Sequence, residues 1–501
     1  MKKFFALVLS AAMVVSLVAC GGGGQSAPEP PDMSSDQPLT GEITVSAFDS
    51  MSAESFLREA AALFEDMHPG TTVNIETFSA MPEMRTATTA DGAQVTVMQI
   101  EDDPQARTDY INRISAQLMA GGGPDILAMD VLPIDRFARS GFLEDLSAYM
   151  KADPDFNHDD FRTNIFDAAK LDGGLWFVPL GYSFEYHAFD STLIPPAQAA
   201  AFGPGNAVSF AGLMEIGAEL HDGSAPLFDQ PEFAAFGGPA GRRGGVFRSL
   251  LSDGFESFVD LENRTAHLDD GRFAELLTST RENAQRGLFP PAITGTLDIE
   301  QMMRIRSDEQ PTERVFFKTH HSGMLQMDFL RGLGESQMMM FGGGMGTITD
   351  DDQIAGIAAD NAGNVPFRFT QGYAINSNSQ NKRLAWEFVK FLLSEEMQAS
   401  PTSMRMGTPV RLSAVQPQAE MFFSGMFGGQ PGEMSPEVEA AMHAYLEAHR
   451  QMADQINTFT FRDAIIDDMI TAEVALFFDG SKSADEVAAA LQSRVGLYLS
   501  E

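Results

Sequence analysis

The 501-residue sequence has one cysteine, two tryptophans and few cations: 33 Lys and Arg stand against 70 Asp and Glu, a formal net charge of −37. The single thiol, Cys20, excludes an internal disulfide framework, a cysteine-rich zinc site and a CxxC redox pair. The shortage of cations gives a surface that repels phosphate backbones, which excludes nucleic acid as a partner. No Gly-x-Ser-x-Gly elbow and no His-Glu-x-x-His helix occur among its residues, so the serine-hydrolase and zinc-peptidase signatures are missing. Gly342-Gly343-Gly344-Met345-Gly346 lacks the following Lys-Ser or Lys-Thr of a phosphate cradle. The 70 acids offer carboxylate pairs everywhere, so a glycosidase pair cannot be singled out.

What is present begins with length. The chain is several times an ordinary domain, and 44% hydrophobic residues suffice for packed interiors in two lobes. Lys2 and Lys3 precede an apolar run, Phe4 to Val18, and Leu17-Val18-Ala19-Cys20 then resembles a bacterial lipoprotein signal. The expectation is cleavage before Cys20 and lipidation of its thiol, which holds the protein on the extracellular face of the cytoplasmic membrane. No later segment is a long uninterrupted apolar run. Four glycines and the prolines 28, 30, 31 and 38 give residues 20–40 the composition of a flexible linker.

From residue 41 the pattern is α/β. Ile43 to Phe48 alternates as a strand, with Ser52 as a candidate helix cap. Phe56, Ala60, Leu63, Phe64 and Met67 mark a helical face, and Val73 to Phe78 a second strand. This is a β-α-β unit. Residues 80–103 read as an inserted hairpin turning at Asp91-Gly92. Tyr110, Ile114 and Leu118 mark a helix, Pro124 to Asp130 a strand, Phe137 to Tyr149 a helix and turn, and Trp176 to Pro179 an extended segment. Helices are expected at Phe210 to Leu220, Arg272 to Gln285 and around Leu384 to Leu392; Ser483 and Glu486 form a capping box before the last one.

Metal chemistry is weakly represented. Asp153, Asp155, Asn157 and Asp159 imitate half of a calcium loop, but His158 occupies the glycine position and Asn164 the closing acid's position. Met338 to Met340 with Met345, and Met404 with Met406, could meet a soft cation, although 29 methionines make packing the simpler role. His320 and His321 should diverge on an extended segment and read as polar surface.

A resemblance then organises the chain. Gly121-Gly122-Gly123-Pro124-Asp125-Ile126, Phe137 to Leu146, Gly173 to Pro179, Phe317 to Met324, Gly372 to Asn376 with Asn381 to Glu395, and Gly407 to Arg411 follow in the order found in the extracellular solute-binding proteins that feed bacterial ABC importers. This resemblance implies a two-lobed periplasmic-binding-protein-like fold, each lobe a doubly wound sheet flanked by helices, joined by crossings near Gly181 to Tyr186 and Phe367 to Gly372. The implied division is 1–19 signal, 20–40 anchor and linker, 41–182 with 372–415 as lobe 1, and 183–371 with 416–501 as lobe 2.

The implied activity is capture, not catalysis. A small solute, a sugar or oligosaccharide, is held between closing lobes and passed to an ABC permease by a monomer with no cofactor and no metal. The candidate contacts are Phe48 and Asp49 after the first strand, Met129 and Asp130 after the strand at Pro124, Tyr182, Phe184, Glu185 and Tyr186 at the crossing, and Phe329 and Tyr373 in later motifs. Aromatics would cover sugar faces and acids would accept hydroxyl protons. The alternative is a secreted polysaccharide hydrolase using two cleft carboxylates. Only Trp176 and Trp386 could serve as indole platforms, and Trp386 lies on an apolar stripe expected in the core.

Overall fold

The structure is a computed structural model, and it describes residues 32–33, 37–48, 51–78, 83–88, 94–99, 104–234, 244–293, 314–330, 351–369, 371–426, 434–459 and 463–500. The signal, Cys20, Asp49, Met338 to Met340 and Met345 lie outside the described residues. Among the described residues, no helix is long and apolar enough to cross a membrane.

Two sheets carry the architecture. In the first, the strand order is Thr71–Phe78, Gly41–Phe48, Ile126–Ala128, Gly372–Ile375, Val178–Pro179. The first three run parallel and Gly372–Ile375 runs antiparallel to both its neighbours. Helix Met51–Met67 connects the two parallel strands Gly41–Phe48 and Thr71–Phe78 and buries Phe56, Leu57, Ala60 and Phe64. Ser52 lies within that helix, which starts two residues earlier than a Ser52 cap requires. The second sheet has the order Phe317–His321, Glu185–Asp190, Asp352–Ala359, Ala207–Ser209. Its first two pairings are antiparallel and only the last is parallel. The α/β, two-sheet class matches expectation, and the second sheet is more antiparallel than a doubly wound reading suggests.

The inserted hairpin is present as Glu83–Thr88 antiparallel to Gln94–Gln99. Its innermost pair is Thr88 with Gln94, and the Asp91-Gly92 turn lies outside the described residues. Helices Phe210–Leu220 and Arg272–Gln285 fall where the periodicity puts them. The capping box also forms: Ser483 Oγ accepts from the Glu486 N–H at 3.3 Å, and the Ser483 N–H donates to Glu486 Oε2 at 2.8 Å.

The segments that carried the resemblance meet in space as framework. Asn376 Nδ2 donates to the carbonyls of Gly122 and Pro124 at 3.0 and 2.9 Å. Asp125 accepts from Thr44 N–H at 2.9 Å and from Ser379 Oγ at 2.5 Å. Lys382 reaches the buried Glu144 carboxylate at 2.7 Å. Asp153 accepts from Trp386 Nε1 and from Lys390 Nζ, both at 2.7 Å, so the carboxylate that opened the calcium-like run is spent on the interior. Trp386 itself is fully buried, as its stripe predicts.

The crossings pair with one another. Ser183 and Arg368 exchange both backbone hydrogen bonds at 2.8 Å, and the Leu180 N–H donates to the Gln371 carbonyl. Pro366–Phe367 runs parallel to Thr458–Phe459, which adds a crossing strand that sequence reading had not placed. Gly181–Tyr182 pairs with Thr408–Pro409. That contact is tight: a Cβ at Gly181 would meet the Met406 carbonyl oxygen at 2.5 Å, and Gly407 adopts φ +85° against the Tyr182 carbonyl. A side chain at either position would force the crossing apart.

Three apolar clusters surround this joint. One combines the first sheet, its helices and the crossings. Another lies behind the second sheet. A helical cluster joins residues 247–277 to the helices Ala464–Phe478 and Ala484–Ser500.

Candidate functional site

A cavity of about 760 Å³ opens where the two sheets meet the crossings. Strand alternation decides which side chains reach it. Glu185 and His187 line the cavity, while Tyr186 between them points away and donates to Asp328 Oδ2 at 2.5 Å. On the paired strand Thr319 and His321 line it, and His320 is buried against the Tyr186 ring, 5.5 Å between centroids. The two histidines diverge as an extended segment requires, but His320 is interior rather than polar surface. His187 Nδ1 lies 3.0 Å from Thr319 Oγ1, locking the paired strands at the cavity edge.

One wall is aromatic. Phe367 and Phe369 on one crossing and Phe459 on another line the cavity, with centroids of Phe369 and Phe459 at 5.5 Å and of Phe367 and Phe459 at 5.0 Å. Phe177 backs Phe369 at 4.7 Å, and a Cβ on Gly372 would strike Phe177 at 2.8 Å. These rings supply a rigid apolar surface without tryptophan.

The other walls are charged. Each of the three lining arginines meets a carboxylate: Arg107 and Asp468 at 2.7 Å, Arg248 and Asp467 at 2.6 Å, Arg368 and Glu185 at 3.1 Å. Carboxyl groups of Asp130, Asp135, Asp253, Glu256 and Asp360 also line the cavity. Burial, followed by the neighbouring charges of Asp360 and Glu185, pushes the Asp253 carboxyl up to about 7 against the N–H groups of Ala211 and Phe210 that favour its ionised form. Burial also raises Asp135.

Of the ten candidate contacts, Met129, Asp130, Phe184 and Glu185 line this cavity, and Asp49 lies outside the described residues. The other five are placed elsewhere. Phe48 packs on Phe78 and Tyr110, at 6.1 and 5.5 Å. Tyr182 is fully buried beside His449 and Arg162. Tyr186 faces Asp328 as described. Phe329 stands against Tyr445 at 6.4 Å. Tyr373 is fully buried and donates to Gln371 Oε1 at 3.0 Å. Tyr182, Tyr186 and Tyr373 are fully buried and do not line the cavity.

Sequence reasoning missed His187, whose position two residues after Glu185 was the available signal. It also missed the phenylalanines of the crossings, Arg107, and the groups brought in from two later stretches, Arg248 and Asp253 from one and Asp467 and Asp468 from the other. No local pattern identifies those, because they meet only in the tertiary fold. No group of three or more potential metal ligands is found among the described residues.

The fold is α/β and of the two-lobed periplasmic-binding-protein-like class, with the cavity where the two sheets meet the crossings. Residues 323–399 match the family Bacterial extracellular solute-binding protein. The chain carries that family's segment, in agreement with the resemblance read from its motifs. Among solved structures, an extracellular solute-binding protein family 1 from Alicyclobacillus acidocaldarius is 15% identical, with 93% of this chain and 100% of that chain covered and a TM-score of 0.51. Maltose-bound MalE3 of T. maritima is 14% identical, covers 91% and 99%, and has a TM-score of 0.50. A de novo designed esterase is 15% identical, with 92% of this chain and 99% of that chain covered and a TM-score of 0.53. At these identities the likeness is one of fold.

Proposed function

We propose that this protein captures a sugar or oligosaccharide in the cavity at the crossings and delivers it to an ABC import permease. The observation that carries this reading is the cavity itself, with a phenylalanine wall built from the crossings and carboxyl groups contributed by both sheets' surroundings. Pyranose rings present apolar C–H faces and hydroxyl donors, which these two kinds of wall complement. The matched solute-binding segment supports transport rather than turnover. In this reading the lobes, 41–182 with 372–415 and 183–371 with 416–501, close over the solute by bending at the paired crossings. The permease recognises the closed monomer, and Cys20, as a lipid-modified residue, tethers the protein at the extracellular face of the cytoplasmic membrane.

A thermal-shift and calorimetry screen of neutral and charged oligosaccharides against the purified protein tests the reading. Stabilisation by a sugar that is recovered intact is the expected result; hydrolysis products would establish the enzyme alternative instead. For the anchor, a Cys20→Ser variant should leave the membrane fraction and lose its acyl mass, and unchanged membrane association would remove that part.

A further inference from the structure

His449 is a buried side chain that solute capture does not use directly, and it sits at the joint. It lies on helix Pro436–Ala453, and its ring meets both aromatic residues of the first crossing, Tyr182 at 5.8 Å and Phe184 at 5.2 Å between centroids. Its Nε2 lies 2.9 Å from Thr408 Oγ1, on the strand that pairs with Gly181–Tyr182. One ring thus touches both strands of that tight pairing, and through Phe184 it backs a residue of the cavity wall.

The helix that carries His449 is fastened from two directions. At its C-terminal end Asn164 Nδ2 donates to the carbonyls of Ala453 and Ile456 at 3.0 and 2.8 Å, and Arg162 pairs with Asp454 at 2.6 Å. The Arg162 N–H also donates to the Val410 carbonyl at 2.9 Å, beside Thr408. One turn before His449, Tyr445 Oη accepts from Gln326 Nε2 at 3.4 Å, on helix Leu325–Leu330. The backbone of Phe184 is held from that side too: its N–H donates to Ser322 Oγ at 3.3 Å, and its carbonyl accepts from the Ser322 N–H at 2.8 Å. Residues 162–164 and 408–410 belong to the first of the two lobes proposed above and 322–326 to the second, so the ring stands between anchors on both. A close-packed contact of this kind transmits a displacement instead of absorbing it.

We propose that His449 is the pin of the hinge, a positioning residue that holds Tyr182 and Phe184 against Thr408 and keeps the crossings paired while the lobes turn about them. The inference rests on closure at the crossings as read above. Its test uses no solute, so its failure leaves sugar capture standing, and a failed sugar screen leaves the pin standing.

The experiment is hydrogen exchange of the ligand-free protein, read by mass spectrometry, together with small-angle scattering. The peptides of interest carry Ser183 and Arg368, whose N–H groups each donate to the other's carbonyl at 2.8 Å; peptides from strand Gly41–Phe48 and helix Arg272–Gln285 are the controls, one in each lobe. His449→Ala should speed exchange at the crossings about tenfold to a hundredfold relative to the controls, and enlarge the radius of gyration. A His449→Phe, Thr408→Val double variant replaces both partners of the hydrogen bond by apolar groups of similar shape, and it should return exchange to within about threefold of the unsubstituted protein. Equal acceleration of crossings and controls would mark His449 as an ordinary core residue and overturn the proposal. Unchanged scattering, or a double variant as loose as His449→Ala, overturns it as well. If His449→Ala does not fold, Thr408→Val alone decides: acceleration of about tenfold confined to the crossings supports the pin, and none refutes it.

Discussion

Arg107 and Asp468 join two bodies that share little chain. Arg107 lies on helix Pro104–Met119, packed on the first sheet, and Asp468 on helix Ala464–Phe478, packed in the C-terminal helical cluster. Their side chains are 11% and 20% exposed and the Nη1–Oδ2 distance is 2.7 Å, so solvent screens the pair only in part. An exposed pair of this kind contributes under about 1 kcal/mol, while breaking a fully buried one costs about 3–5 kcal/mol. At this burial the loss of Arg107 should cost about 1–3 kcal/mol. If the lobes part by bending at the crossings, the pair breaks on opening, and its energy then biases the closed form by that amount. Arg107→Met keeps the apolar stem and removes the charge. Small-angle scattering of the ligand-free variant should show a larger radius of gyration, and sugar affinity should fall about fivefold to a hundredfold. Asp468→Asn should do the same, and the double variant should fall short of the sum because both lose one interaction. Coupling below about 0.3 kcal/mol, with unchanged scattering, would refute the role of this pair in closure.

Further expectations follow from the same geometry. Phe369→Ala should weaken sugar binding about tenfold by calorimetry, with a smaller effect at Phe367, which is almost wholly buried and offers less surface; equal losses would contradict the wall described. Burial drives His449 down to about 3, with the Arg162 charge adding to it, so the ring is neutral inside while it would protonate near pH 6.5 when unfolded. Its contribution is therefore present above about pH 6.5 and is lost as pH falls, by up to about 1.4 kcal/mol per pH unit; melting temperatures from pH 7.5 to 5 should drop, and His449→Gln should flatten the drop. Burial works to raise Asp153, but the hydrogen bonds of Lys390 and Trp386 outweigh it and hold the carboxyl below its usual range. Its stability is present above the unfolded value near 4 and lost below it, and Asp153→Ala should cost about 3–5 kcal/mol by urea unfolding at pH 7, since an indole N–H and an ammonium lose their acceptor.

The strands and helices were legible because their signals are local. Apolar spacing marked Phe56, Ala60 and Phe64 on one helix, and Ser483 with Glu486 marked the start of another, since both depend on residues a turn apart. The motif resemblance likewise led to the fold, and its residues prove to be structural ties: Asn376 to Gly122, Asp125 to Thr44, Lys382 to Glu144. Such ties set the framework that places a site without touching the solute.

The site was legible in part, and the split has a geometric cause. Met129, Asp130, Phe184 and Glu185 follow from being at strand ends or the first crossing. Tyr182, Tyr186 and Tyr373 were plausible by type and neighbourhood, yet a strand sends alternate side chains to opposite faces, and the interior took all three. The sequence by itself determined the α/β class, the acidic surface, the single candidate lipidation thiol and the motif order, because composition and short-range periodicity are written along the chain. Only the tertiary structure decided which acids meet arginines, that the crossings supply phenylalanine where tryptophan is scarce, and that Asp253, Asp360 and Glu185 line one cavity. Those groups come from distant stretches of the chain, and electrostatics and packing depend on separation in space rather than in sequence.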